Sequence, residues 1–420
     1  MKDWKKLKLG DIAVISYGYT AKAFVANVGS KFLRITDIQN HSVNWSSVPY
    51  CQITEDDFEK YKLIDQDIVF ARTGATTGKS YLVCDPPETV AASYLIRLRL
   101  KDANIDAKFI SKYFQTKEYW DNISSGISGS AQGGFNASKL SELFIPIPPL
   151  PEQKRIVAIL DEAFEGIDRA ISNTEKNLSN ARELFESYLN SIFSQKGEGW
   201  EEKKLREMGG KVFTGPFGSL LHKSDYVSNG IPIVNPANIE DDKIIPNFIK
   251  SISPDTVKRL QSYVLTTNDV VVARRGEIGR CAVVTEEQSG WLCGSGSFFI
   301  KPFEKVNSVF LAHLLRSAVY RSQLEKLSTG ATMQNLSNQS LSDLVIAMPS
   351  LDEQNQITNR IDDLKSETQS LENIYRQKIA ALKELKQSIL QKAFTGELTV
   401  RLRSPTTADN GENEKEEIAA

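Results

Sequence analysis

Residues Thr73–Ser80 read TGATTGKS, and the closing Gly-Lys-Ser is the tripeptide that holds nucleotide phosphates in a P-loop. The spacing argues against that chemistry. Three residues separate Gly74 from Gly78, where a phosphate cradle needs four before Gly-Lys-Ser. A related stretch, RGEIGRC from Arg275, has neither the lysine nor the serine. The two stretches share an arginine (Arg72, Arg274), a glycine (Gly74, Gly276) and a later glycine-basic pair (Gly78-Lys79, Gly279-Arg280). The runs before them, DIVFA and DVVVA, are apolar and rich in β-branched residues. Each unit therefore predicts a strand, a tight glycine turn and a return strand, with cations at the turn. Such a turn is either an ordinary hairpin with solvated charges or a rigid mount for arginines that meet phosphates and guanine edges.

Other chemistry has little support. DPPE at Asp85–Glu88 approaches the DPPY strip of amino-methyltransferases, but Glu88 stands where an aromatic would stack on an extruded base. No glycine-rich cofactor loop accompanies it, and a turn is the plainer reading. No cluster of carboxylates with a lysine suggests a nuclease. His41, His222 and His313 are not spaced as metal ligands, and Cys51, Cys84, Cys281 and Cys293 form no CxxC pair. The start, MKDWKKLKLGD, has no apolar leader, and no run approaches the roughly 18 apolar residues of a membrane helix. A cytoplasmic protein with free thiols, and no metal or cofactor of its own, is expected. The net charge of −2 does not favour a polyanion ligand, but residues 1–148 and 200–348 each carry two more basic than acidic residues. The acidity sits in residues 149–199 and in the tail from Ser404, so local basic patches are permitted but not demonstrated.

These turns belong to a chain that repeats itself after 201 residues. Leu140, Leu143, Ile145, Pro148 and Leu150 fall on Leu341, Leu344, Ile346, Pro349 and Leu351; Glu152-Gln153 falls on Glu353-Gln354. Such a period is too long for a solenoid repeat of ~20–50 residues and marks a duplicated domain. Each copy divides into a module of short β-rich runs with intervening helices (1–148, 197–348) and a helical part (149–196, 349–398); the charge-rich residues 399–420 read as a disordered tail. In the second helical part Ile357, Ile361, Leu364, Thr368, Leu371, Tyr375, Lys378, Leu382, Leu385, Ile389 and Lys392 follow a 4-3 spacing, which predicts a coiled-coil seam. The same frame in the first gives Ile156, Leu160, Ala163, Ile167, Ala170, Thr174, Asn177, Ala181, Leu184 and Tyr188. Thr174 and Asn177 in that frame either fix the register or face away where the partner helix departs. Pro151, and Ser350 with Glu353, are helix-start signals. Two such helices, each of about 60 Å, would bury their seams by pairing with each other, antiparallel, with the modules at opposite ends.

The two helix starts, IPIPPLPEQKRIVAILDEAFEGID from Ile145 and IAMPSLDEQNQITNRIDDL from Ile346, resemble the conserved regions of the specificity subunit of type I restriction-modification systems. LKELKQSILQKAFTGELT from Leu382 is similar to that family's closing segment, and LFESYLNSIFSQKGEGWEEKKL from Leu184 to its central one. The resemblance covers residues 1–400 and departs at Asp352, opposite Pro151, and at Met348, which interrupts the proline run. It implies an α+β protein: two duplicated α/β target recognition domains separated by a pair of long antiparallel coiled-coil helices. It implies that each module reads one half of a bipartite, asymmetric site on double-stranded DNA and that the helices set the gap. Two modification subunits would dock on the chain and restriction subunits could join. S-adenosylmethionine, ATP and Mg2+ would belong to those partners. The DNA-facing candidates are then Arg72, Thr73, Lys79, Tyr19 and Lys22 in the first module and Arg274, Arg275, Arg280, Ser219 and Lys223 in the second. Gln132 and Asn335 join them because amides can read adenine. Two other classes remain open on the residues alone: a fused nuclease–methyltransferase fragment, and a scaffold that binds only proteins.

Overall fold

The computed structural model describes residues 4–39, 42–128, 135–240, 242–328 and 335–400. The chain forms two compact units, one of residues 1–174 with 377–420 and one of residues 175–376. The same architecture recurs in both. In the first, an antiparallel sheet takes its strands in the order Ala13–Tyr17, Leu95–Leu100, Ile68–Ala71, Ser80–Leu82. In the second the order is Val212–Thr214, Ser297–Ile300, Val270–Ala273, Cys281–Val283. The central strands Ile68–Ala71 and Val270–Ala273 are buried throughout, which is why they read as unbroken apolar runs. A smaller mixed sheet lies in each module, built around Ser30–Leu33 and Ile231–Val234. Lys5–Lys8 pairs with Phe144–Ile147, and Glu201–Lys204 with Val345–Met348; these two-stranded ribbons close each module just before its long helix.

The long helices run Leu150–Gln195 and Leu351–Phe394. The Ser350 hydroxyl accepts the Glu353 amide at 3.3 Å, as the cap spacing predicts. Gln153 and Gln354, both buried, pin the helix starts to their modules. The Gln153 amide donates to the carbonyls of Asn104 (3.0 Å) and Pro148 (2.8 Å) while its oxygen accepts the Asp106 amide (2.8 Å). Gln354 repeats the set with Lys305 (3.0 Å), Pro349 (2.9 Å) and Asn307 (2.9 Å). Buried backbone groups at two loops are thus satisfied by one side chain in each copy.

Within each unit the two helices pair antiparallel. In the first, Asp168 bridges to Lys386 at 2.6 Å and Glu152 accepts a hydrogen bond from Thr399. In the second, Arg182 bridges to Glu372 at 2.8 Å and Arg360 lies 5.6 Å from the Tyr188 ring. Rising numbers on one helix meet falling numbers on the other. Each core draws on both: Leu160, Phe164, Leu390 and Phe394 join Phe70, Phe109 and Phe114, while Leu189, Phe193 and Ile361 join Phe298, Phe310 and Leu314.

The seam differs in phase from the spacing expected. Ile156, Leu160, Ile167 and Ile361 are buried, and Ile357, Leu364, Leu382 and Ile389 half-buried. Leu184, Leu371 and Leu385 face outward, at 67%, 42% and 48% exposure. The inward residues at those turns are Phe185, Glu372 and Lys386, one position on. Glu372 and Lys386 fit there because each meets its opposite charge on the facing helix. Thr174 is buried, its hydroxyl donating to the Ala170 carbonyl at 2.7 Å, whereas Asn177 faces out. Residues Glu397–Val400 form one more helical turn, with Leu398 against the first core, so part of the expected tail is folded. Residues 401–420 lie outside the described residues.

Candidate nucleic-acid interface

The two arginine turns are built alike. Gly74 and Gly78 have φ of 76° and 89°, and Gly276 and Gly279 have 73° and 83°, a region open to glycine and strained for other residues. The Ala71 amide donates to the Lys79 carbonyl (2.9 Å) and the Ala273 amide to the Arg280 carbonyl (2.7 Å), closing each turn. The backbone of each arginine is tied on both sides. Arg72 donates its amide to the Tyr94 carbonyl and accepts the Phe135 amide, both at 3.1 Å. Arg274 does the same with Gly296 (3.1 Å) and Leu336 (2.9 Å). Gly18 and Gly215 lie where the neighbouring strand passes so close that a Cβ would stand 2.3 and 2.0 Å from the carbonyl oxygens of Ala92 and Gly294.

The side chains at the two turns differ. The Arg72 guanidinium lies 4.8 Å from the Tyr17 ring centroid, and Tyr94, whose carbonyl accepts the Arg72 amide, is 65% exposed. Thr73 and Lys79 are exposed on the same turn. Arg274 lies 5.2 Å from the Phe298 ring, and its Nε donates to the Asn335 side-chain oxygen at 3.1 Å. Arg275 is exposed next to it and bridges to Asn335 through the backbone. Burial first, and then the adjacent Arg275 charge, lower the Arg274 pKa from its ordinary value. Two crowded guanidinium groups gain most from an anion placed over both.

The other candidates fall in several places. Arg280 is committed within the module: it pairs with Glu277 and donates to the Ile239 carbonyl at 3.0 Å. Tyr19 is half-buried against Tyr61, ring centroids 5.3 Å apart, and Lys22 is exposed near Phe24. Ser219 and Lys223 are exposed in the loop after the half-uncovered Phe217, and no hydrogen bond or ion pair among the described residues joins them to the Arg274 turn. Gln132 lies outside the described residues. Arg97 and Arg99, also basic and close to the first sheet, are spent on structure: they hold the Lys60 and Lys62 carbonyls, and Arg99 grips the buried Asp67 with two bonds of 2.8 and 2.7 Å. Sequence reasoning missed Tyr17 and Tyr94. Tyr17 ends the strand Ala13–Tyr17 and Tyr94 lies in the turn before Leu95–Leu100, and only the fold brings them to the arginine.

The fold and this site define a protein with two like modules, each offering a cation-bearing glycine turn on a rigid sheet, joined to paired long helices. The family model for the type I restriction modification DNA specificity domain matches residues 1–178 and 197–382, and the chain belongs to that family. Among curated proteins it is 22% identical to the type I restriction enzyme EcoBI specificity subunit of Escherichia coli, over 96% of this chain and 87% of that one. It is 23% identical to the MjaVIII specificity subunit of Methanocaldococcus jannaschii, over 80% of each. Among solved structures, a chain from a study of type I R-M system assembly and conformational transition superposes with a TM-score of 0.76 at 20% identity, covering 95% of this chain and 99% of that one. The HsdS subunit from Thermoanaerobacter tengcongensis superposes with a TM-score of 0.60 at 19% identity, covering 94% and 97%. No helix among the described residues is long and apolar enough to cross a membrane, and none of their His, Cys, Asp and Glu side chains cluster as metal ligands.

Proposed function

We propose that this chain is the DNA sequence-specificity subunit of a type I restriction-modification complex. Each module reads one half of a bipartite, asymmetric duplex site through the major groove, and the paired helices set the gap. The observation that supports this reading most directly is the repeated arginine turn. Its backbone mount is the same in both modules, whereas the groups around the guanidinium differ. A common mount suits contact with any duplex; different side chains suit different bases. The chain acts without catalysis of its own, in the cytoplasm. Two modification subunits dock on it and supply S-adenosylmethionine and methyl transfer, and restriction subunits with ATP and Mg2+ join them. The outward apolar residues Leu184, Leu371, Ile374 and Leu385 give the helices a surface for such docking. Many phosphate contacts then come from the partners, which accommodates the chain's net charge of −2.

Sequencing methylated bases in the host with and without this gene tests the reading. One bipartite methylated motif should vanish with the gene; an unchanged methylome contradicts the proposal. A gel shift of the chain with its modification subunit, at stated salt, should show sequence-dependent retardation. Its absence would favour a scaffold that binds proteins alone.

A further inference from the structure

Phe164 and Lys365 occupy the same place in the two copies, 201 residues apart, and treat the space between helix and module differently. In the first unit the buried Phe164 ring fills it, with the ammonium groups of Lys112 and Lys386 at 5.0 and 4.7 Å from the centroid. Those lysines pair with Asp161 and Asp168, so every charge there is answered. In the second unit Lys365 replaces the ring and His313 replaces Lys112. A cleft of about 670 Å³ opens, lined by Arg182 and Lys365 of the helices and by Lys243, Arg280, Arg316 and Arg321 of the module.

Positive charge is in excess in this cleft: its six cations face four acids, Glu186, Asp242, Glu277 and Glu372, of which Glu277 pairs with Arg280. Asp242 serves both Lys365 and, at 3.8 Å, Arg316. Glu372 is shared by Arg182 (2.8 Å) and Arg376 (3.0 Å). Lys243, across the strand pair from Glu240, and Arg321 also line the cleft, and neither forms an ion pair among the described residues. The His313 side chain, only 4% exposed, sits at the wall. Its Nδ1 faces Arg316 at 2.8 Å; the guanidinium can only donate, so the ring proton resides on Nε2. That Nε2 lies 3.5 Å from Asp362 yet makes no hydrogen bond. Burial, then the charges of Arg316 and Lys365, hold the imidazole down to about 3, with Asp242 opposing them.

We propose that the cleft binds a small phosphate-bearing anion, no larger than a nucleotide, that bridges the helices to the second module. Its volume lies in the range of small-ligand sites. The forked guanidinium groups suit an anion with several oxygens and more than one charge better than they suit a monocarboxylate. In the first unit the Phe164 ring fills the equivalent space. This inference goes beyond DNA reading and does not depend on it.

Pyrophosphate titrated calorimetrically into the full-length chain, at fixed ionic strength, should bind saturably at one site. Lys365→Phe, which writes the first copy's residue into the cleft, should abolish binding. Arg321→Ala alters an exposed residue outside the ion pairs and should weaken binding by about tenfold with an unchanged circular dichroism spectrum. Absence of saturable binding overturns the proposal, as does binding indifferent to both substitutions. Stoichiometric displacement of pyrophosphate by a short duplex also overturns it, since the cations would then belong to a DNA path.

Discussion

Arg72 and Arg274 leave equivalent strands of equivalent sheets, with the same backbone bonds on either side, and meet different company. Arg72 covers Tyr17 and has the exposed Tyr94 as a backbone partner. Arg274 covers Phe298, donates to Asn335 and stands next to Arg275. The backbone answers to the sheet and the glycines, so it cannot drift without loss of the fold. The side chains at the tip answer only to what they touch. A duplicated chain can therefore keep one mount and carry two readers.

The equivalence of the mounts can be broken at Gln153 and Gln354. Replacing either with leucine leaves two carbonyls and one amide at the helix start without their partner. Each substitution should cost about 3 kcal/mol, and hydrogen exchange should place the loss in its own unit. Clearly unequal losses would mean that the two anchors do different work. A smaller asymmetry is expected with pH. His313 in the second unit is held at about 3, far below its ordinary 6.5, and Lys112 stands at its place in the first. Between those pH values the unfolded chain binds a proton that the folded one refuses. Stability of the second unit is therefore intact above pH 6.5 and falls as pH drops towards 3, by at most about 1.4 kcal/mol per pH unit. Asp362, raised above the ordinary carboxylate range chiefly by burial, opposes this near the lower end. Unfolding followed separately for the two units should show the second weakening first, and His313→Gln should remove the slope. The smallest effect concerns the seam. Leu184→Gln and Leu385→Gln should each change stability by less than about 0.5 kcal/mol, and Phe185→Gln by clearly more. The reverse order would restore the seam that the spacing suggests.

The helices, their start signals, the duplication and the strand–turn–strand arginine units were legible in the sequence, because each rests on local pattern. The seam phase was legible only in part. In the second helix Leu371 and Leu385 hold a perfect 4-3 spacing while the inward Glu372 and Lys386 are charged, so apolar counting selects the wrong neighbours. The first helix carries the true seam openly, in Leu160, Phe164, Ile167, Ile171, Thr174, Leu178, Ala181 and Phe185. A frame carried over from the second helix hid it. The repeated Glu-Gln pair was visible as a repeat, but its work was not, since the groups that Gln153 and Gln354 satisfy lie 47 to 49 residues upstream as well as beside them. Tyr17, Tyr94 and the sequestration of Arg280 by Glu277 and Ile239 also depend on neighbours brought together across the fold.

The central claim, one independent reader per module, is tested most directly by replacing Arg274 and Arg275 with alanine together and profiling the assembled complex against randomised bipartite duplexes. Preference should relax at one half-site, by ~1–3 kcal/mol for each bidentate arginine–base pairing removed, while the other half-site keeps its sequence. Equal weakening of both halves, or of neither, would contradict the account.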